Sequence, residues 1–178
     1  MARIFSAIDV ENEKVLGELS NVRDSLDLGF NPVKQEKMHI TLQFFQNVSE
    51  RETGKIKKAM ESLEISPFQL EIKGIGAFPS EDFIRVIWAG APNDAVYQLY
   101  REISRHQVNE DSDNEFKPHI TLLRVENVHG DRKKKLKRTM REFKDHSFGT
   151  IEVDSVKLFE SILNSKGTVY KELYETEL

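Results

Sequence analysis

His39-Ile40-Thr41-Leu42 and His119-Ile120-Thr121-Leu122 are the same tetrapeptide, 80 positions apart. The correspondence extends outward from both copies at that offset. Ile4, within Arg3-Ile4-Phe5-Ser6-Ala7-Ile8, maps onto Ile84 within Phe83-Ile84-Arg85-Val86-Ile87-Trp88. Val15, Leu16 and Leu19 map onto Ala95, Val96 and Leu99, both sets at helical spacing. Downstream, Ile56, Met60 and Leu63 match Leu136, Met140 and Phe143, each set lying i, i+4, i+7 on one face of an amphipathic helix. Phe68 then matches Phe148, and beyond it the register drifts. Each half reads strand, helix, strand carrying the tetrapeptide, helix, strand. The expected fold class is therefore α+β, one domain over 1–178 made of two pseudo-symmetric repeats of about 1–79 and 80–178. Two copies are too few for a stacked solenoid. The boundary is expected near Gly74-Ile75-Gly76-Ala77-Phe78-Pro79-Ser80, whose glycines and proline read as turn residues; Gly74-x-Gly76 has no phosphate-loop context. Asn93 or Asp94 is expected to cap the second half's first helix, and the acidic residues 110–115 to form a solvated loop.

Composition narrows the function classes. The chain has 178 residues, a size suited to one compact domain, and its 38% apolar and 31% charged residues are a globular rather than a disordered balance. No apolar run approaches the ~20 residues a membrane span needs. The N-terminal alternation meets Asp9 and Glu11 before a secretory segment could form, so the expected location is cytoplasmic. There is no cysteine, which excludes disulfides, thiolate nucleophiles and cysteine-ligated zinc. The net charge of −4 argues against a protein that coats long nucleic acid, yet leaves room for a local basic pocket holding one phosphate.

In a strand, side chains at i and i+2 share a face. His39 and Thr41 thus point one way and Ile40 and Leu42 the other, with His119 and Thr121 repeating the pattern against Ile120 and Leu122. If the strands are symmetry mates, one cleft holds two imidazoles and two hydroxyls. Splitting a phosphodiester in line needs a base on the attacking oxygen and an acid on the leaving oxygen. Imidazole, with an ordinary pKa of ~6.5, serves either task near neutrality. Threonine hydroxyls can donate to the non-bridging oxygens. A strained cyclic phosphate needs no metal, and no cofactor is expected. A single strand histidine beside a threonine is usually structural, but a core-forming repeat has no need to keep the same polar pair twice. His106, His129 and His146 lack such partners and are read as surface residues. Arg124 is a candidate phosphate ligand or, equally, a surface arginine at a strand end. Arg85 is a charge in an apolar strand, either a phosphate contact or half of an ion pair. Tyr170 and Phe5 are candidate base-stacking surfaces, although aromatics in strands more often belong to the core. The run Arg132-Lys133-Lys134-Lys135-Leu136-Lys137-Arg138 is read as the solvated face of its helix rather than an RNA patch.

With these motifs in order, the chain resembles the two-histidine (2H) phosphoesterases, specifically the RNA 2′,3′-cyclic phosphodiesterases of the LigT-like 2′-5′ RNA ligase branch. The likeness rests on the opening strand Arg3–Ile8, Met38-His39-Ile40-Thr41-Leu42-Gln43-Phe44, Gly76-Ala77-Phe78-Pro79 with Arg85-Val86-Ile87-Trp88-Ala89-Gly90, Pro118-His119-Ile120-Thr121-Leu122-Leu123-Arg124, and Ser161-Ile162-Leu163 with Gly167-Thr168-Val169-Tyr170. Phe45-Gln46-Asn47 stands where relatives continue Leu-Gly-Glu, and residues 31–37 lack a tryptophan that many relatives carry. The resemblance implies a bilobal fold with a concave, sheet-lined cleft and helices outside. It further implies His39 as proton donor, His119 as proton acceptor, and opening of a 2′,3′-cyclic phosphate to a 2′-phosphomonoester, in some members with the reverse 2′-5′ ligation. The implied partners are RNA ends bearing that phosphate, tRNA halves among them, acted on by a monomer without metal or membrane. The rival readings are a phosphodiesterase for small cyclic nucleotides or ADP-ribose cyclic phosphate, and a non-catalytic module binding nucleotides or RNA ends.

Overall fold

The computed structural model describes residues 2–105, 115–165 and 167–178. The first half runs β1 (Ala2–Asp9), α1 (Glu13–Leu26), β2 (Asn31–Pro32), β3 (His39–Val48), α2 (Glu50–Glu61), β4 (Phe68–Lys73) and β5 (Ile75–Pro79). The second runs β6 (Ile84–Gly90), α3 (Asp94–Ser104), β7 (His119–Arg124), α4 (Gly130–Glu142), β8 (Ser147–Val153), β9 (Ser155–Asn164) and β10 (Gly167–Glu177). Side-chain caps fix three of the four helix starts. Asn12 accepts from the amides of Lys14 and Val15. Ser49 and Glu52 form a reciprocal capping box, and Asn93, rather than Asp94, accepts from the Ala95 amide. His106 and residues 110–114 of the expected acidic loop lie outside the described residues; Glu115 is exposed.

The sheet order is nearly palindromic: β10-β9-β1-β3-β7-β6-β5, with β2 beside β7. At its centre the two tetrapeptide strands run antiparallel and Ile40 pairs directly with Ile120, so the pseudo-twofold passes between equivalent residues. A second small sheet pairs β4 with β8, again mate to mate. The outer strands are exchanged. β5 of the first half pairs with β6 of the second, and β9 of the second pairs with β1 of the first. The stretch around Gly74–Pro79 is therefore mostly strand, with the turn confined to Gly74, whose φ of +77° and close approach to the Lys144 carbonyl both favour glycine.

One continuous apolar core fills the space between the sheet and the helices. Ile4, Ile8, Ile40, Leu42, Ile87, Ala89, Ile120 and Leu122 come from the strands; Leu19, Val22, Ile56, Met60, Val96, Leu99, Ile103, Leu136 and Met140 from the helices. The helical stripes of α2 and α4 match at the offset of 80, as expected. The first strands do not. Thr41 pairs with Ala7 and Thr121 with Trp88; His39 pairs with Asp9 and His119 with Gly90. Relative to the tetrapeptide strands, β1 and β6 are thus 81 residues apart, as are the caps Asn12 and Asn93. From the helix cap to the tetrapeptide the second half is therefore one residue shorter, 26 positions from Asn93 to His119 against 27 from Asn12 to His39.

Candidate active site

The two central strands carry their side chains in one pattern. From His39 to Glu50 and from His119 to Gly130, burial alternates identically at all twelve positions. Asn47 and Asn127 both adopt left-handed φ values, 55° and 49°. Each strand also contains a register shift against its neighbour, with Leu42 and Leu122 as the extra residues. Such a bulge buries two consecutive side chains and reverses the facing of the residues after it. Leu42 and Gln43 are buried together, as are Leu122 and Leu123. Phe44 and Arg124 then return to the face that carries His39, Thr41, His119 and Thr121.

The two imidazoles are held differently. His119 Nδ1 lies 2.6 Å from the Lys117 carbonyl. A carbonyl only accepts, so Nδ1 carries the proton and Nε2 keeps its lone pair. The ring is flanked edge-on by Phe78 at 4.8 Å and, tilted, by Trp88 at 6.0 Å between centroids. His39 Nε2 lies 3.1 Å from Thr41 Oγ1. Its ring stacks on Phe5 at 5.0 Å and meets the Tyr170 edge at 5.4 Å. Burial pushes both imidazoles below their ordinary pKa, because desolvation penalises the imidazolium. Hydrogen bonding at the Lys37 and Lys117 carbonyls opposes that shift. The positive charges of His119 and Arg124 press on His39 as well, which places the pair and Arg124 in one electrostatic site.

The remaining sequence candidates divide. Arg124 is exposed on the cleft face, and Tyr170 touches His39. Phe5 is on the right face, but at 1% exposure, covered by Phe44, Phe159, Tyr170 and His39, it is a floor under the imidazole and offers nothing for a base to stack on. Arg85 is not brought to the pair. It shares the alternation of Ile87 and Ala89, opposite to Trp88, and its guanidinium lies over the Phe83 ring at 4.8 Å. His146 is half-buried rather than on the surface, 2.7 Å from Glu18 Oε1; His129 is exposed at the start of α4. The basic run is partly a set of anchors. Arg132 caps the Leu28 and Gly29 carbonyls, and Lys133 and Lys137 hold Asp82.

Sequence reasoning missed Phe44, the cleft-face aromatic that is 58% exposed, and Trp88 with its glycine seat. The signal for Phe44 was present: it follows His39 by five residues, as Arg124 follows His119. Gly76 is a strand residue under the Trp88 indole, where a Cβ would fall 2.1 Å from a ring carbon. Gly76→Ala is therefore expected to displace Trp88 from His119 and to lower stability by about 1–3 kcal/mol, the usual cost of overpacking, as read from urea unfolding.

Among the described residues, no group of three or more His, Asp or Glu side chains has an arrangement that could hold a metal ion, and no helix is long and apolar enough to cross a membrane.

Comparison with known proteins adds three findings. The family model described as the AKAP7 2′5′ RNA ligase-like domain matches residues 5–178. A Methanocaldococcus jannaschii protein named RNA 2′,3′-cyclic phosphodiesterase is 34% identical over 177 residues, covering 97% of this chain and 99% of that one; a protein of the same name from Aeropyrum pernix is 33% identical over 171 residues, covering 92% and 96%. A Thermus thermophilus crystal structure superposes with a TM-score of 0.81 at 26% identity, covering 99% of this chain and 97% of the other.

Proposed function

The chain belongs to the AKAP7 2′5′ RNA ligase-like family of two-histidine phosphoesterases, and from that premise we propose that it hydrolyses the 2′,3′-cyclic phosphate at an RNA end to a 2′-phosphomonoester. The observation that carries the reading is the direct pairing of Ile40 with Ile120, which sets two His-x-Thr faces on either side of one axis. Water is the nucleophile. His119 Nε2, kept unprotonated by the Nδ1 bond to Lys117, takes its proton as the P–O bond forms. The P–O3′ bond breaks opposite, and His39 gives its proton to O3′. Thr41 and Thr121 donate to the non-bridging oxygens, where charge accumulates. Arg124 holds the phosphate and the exposed ring of Phe44 takes the base, with Tyr170 fixing the orientation of His39 from the side. Residues 1–178 act as one domain, its repeats being about 1–79 and 80–178. We read the protein as a cytoplasmic monomer that uses neither metal nor cofactor, with tRNA halves among its RNA substrates and 2′-5′ ligation as the reverse of the same step.

The test is a panel of RNA ending in a 2′,3′-cyclic phosphate, a free cyclic nucleotide and ADP-ribose cyclic phosphate, each in excess chelator. The expected result is opening of the RNA substrate with undiminished rate and a product resistant to a phosphatase specific for 3′-monoesters. Loss of activity in chelator with rescue by a divalent ion would overturn the mechanism. Preference for the smaller substrates would overturn the substrate assignment, and no turnover of any would favour a binding module.

A further inference from the structure

The pseudo-twofold relates the histidines but not the residues opposite them. Across the β1–β3 ladder, His39 faces Asp9; across the β6–β7 ladder, His119 faces Gly90. Directly opposed strand residues have Cβ atoms roughly 4.5–5.5 Å apart, and Asp9 shares the face of Phe5 and Ala7, on which the His39 ring rests. One histidine therefore has a carboxylate as its cross-strand partner and its mate has a backbone. The charges nearby deepen the difference. Asp9 Oδ1 accepts from the Val10 amide at 3.1 Å. Asp9 Oδ2 lies 3.3 Å from the ammonium of Lys157 on β9, which is also 2.7 Å from Glu11 and 3.7 Å from Glu172 on β10. Lys157 is only 12% exposed. Burial pulls its pKa down, but the hydrogen bonds and charges of Glu11 and Asp9 outweigh that and push it up, so it stays charged. Three carboxylates around one ammonium leave this end of the cleft negative. The other groups facing His39 are the Lys37 ammonium, which donates to the Thr168 carbonyl at 2.6 Å beside the Tyr170 ring, the Tyr170 phenol, and His119 and Arg124 across the axis. At His119 the charge that acts on the ring is that of the Lys117 ammonium, set over the Trp88 ring.

We infer that Asp9 is the positioning residue that breaks the symmetry of the pair, committing His39 to the proton-donor role and leaving His119 as the base. The inference rests on the acid–base reading above and supplies from geometry the assignment that the repeat alone leaves open. A carboxylate beside an imidazole favours the imidazolium, whereas an ammonium beside one favours the neutral ring. The charges act in these directions: burial lowers both rings most and the hydrogen bonds at the Lys37 and Lys117 carbonyls oppose it, after which the Asp9 charge raises His39 against the smaller effects of His119 and Arg124, and the Lys117 charge lowers His119. Lys157 sets the strength of the effect, because it offsets part of the Asp9 charge while holding the carboxylate in place.

The test reads the imidazoles directly, by NMR titration of ¹⁵N-histidine-labelled protein without substrate, with His39 and His119 signals identified from single His→Gln variants. Asp9→Asn should lower the His39 midpoint by roughly 0.5–1 pH unit, less than an unopposed neighbouring charge would give, and leave His119 in place. Asp9→Glu, which keeps the charge, should restore the wild-type midpoint. Lys157→Gln should raise it. In turnover of the cyclic phosphate, Asp9→Asn should cost about 3–10-fold in kcat/KM on the alkaline side, where the acid must stay protonated, with little change on the acid side. An unmoved His39, or a His119 that moves equally, overturns the inference. Should Asp9→Asn fail to fold, a Lys157→Gln protein whose His39 midpoint stays or falls overturns it as well. The titrations need no turnover, so they stand even if the proposed substrate proves wrong.

Discussion

His119→Ala is expected to lower kcat by about 10²–10⁴, the range one general acid or base contributes. His39→Ala should do the same. The double variant should lose little more than either single one, because an in-line displacement that lacks its base gains nothing from an intact acid. His119 is the cleaner test. It is held by one carbonyl, one aromatic edge and one tilted, more distant indole, so its removal disturbs less packing than loss of His39, which stacks on Phe5 and leans on Tyr170. Equal unfolding midpoints in urea for wild type and variant isolate the chemical loss. Near wild-type turnover in either variant would make that histidine structural. The pH dependence has a definite sign. Both imidazoles are held below their ordinary range in the free protein, chiefly by burial, so kcat/KM should follow a bell centred below ~6.5, the ordinary imidazole pKa. A bound anionic phosphate favours the imidazolium, so the kcat profile should lie at higher pH than that of kcat/KM. The reverse order would mean that the phosphate does not bind beside them.

The twofold and the common facing of the two His-x-Thr pairs were legible because a two-residue period and a repeated tetrapeptide fix which side chains share a face, whatever their tertiary partners. Two things were not legible. A fixed offset of 80 aligns Phe5 with Arg85, but the pairing registers align Phe5 with Val86 and Ile4 with Arg85. The missing residue lies between the Asn93 cap and His119, a span in which a shorter helix and a longer connection nearly cancel, and connections absorb such changes without a mark in hydrophobic periodicity. In a strand, one residue is a whole face; hence Arg85 lies opposite to the side that carries the histidines. Phe5 failed for another reason. Its strand and facing were right, but whether an aromatic is floor or platform depends on what covers it. The covering residues Phe159 and Tyr170 arrive from β9 and β10, exchanged across the axis. Alternation along one strand carries no information about its neighbour.

Ile120→Ala is expected to be the most costly single truncation for this site, because it tests whether the two halves are held together at one point. Ile120 and its partner Ile40 are fully buried, and among the described residues theirs is the one direct Cα pairing between the central strands. Beyond it β7 is flanked by β2, through Asn31 and Pro32, rather than by β3. Removing a buried isoleucine to its Cβ costs about 2–5 kcal/mol, transfer and cavity together, against a total stability of roughly 5–15 kcal/mol for a domain. The cavity opens beneath the residue that sits between His119 and Thr121. Relaxation there lets the two strands shift relative to each other, and in-line transfer tolerates little misplacement of either group. Two losses are therefore expected. The urea midpoint should fall by an amount matching that range, and kcat should fall further than the folded fraction accounts for when assayed well below the midpoint. Ile56→Ala in α2, equally buried but remote from the axis, should show the first loss without the second. If the two variants lose activity in proportion to stability alone, the axis does not set the spacing of the histidines, and that spacing must be fixed instead by the flanking β1 and β6 ladders.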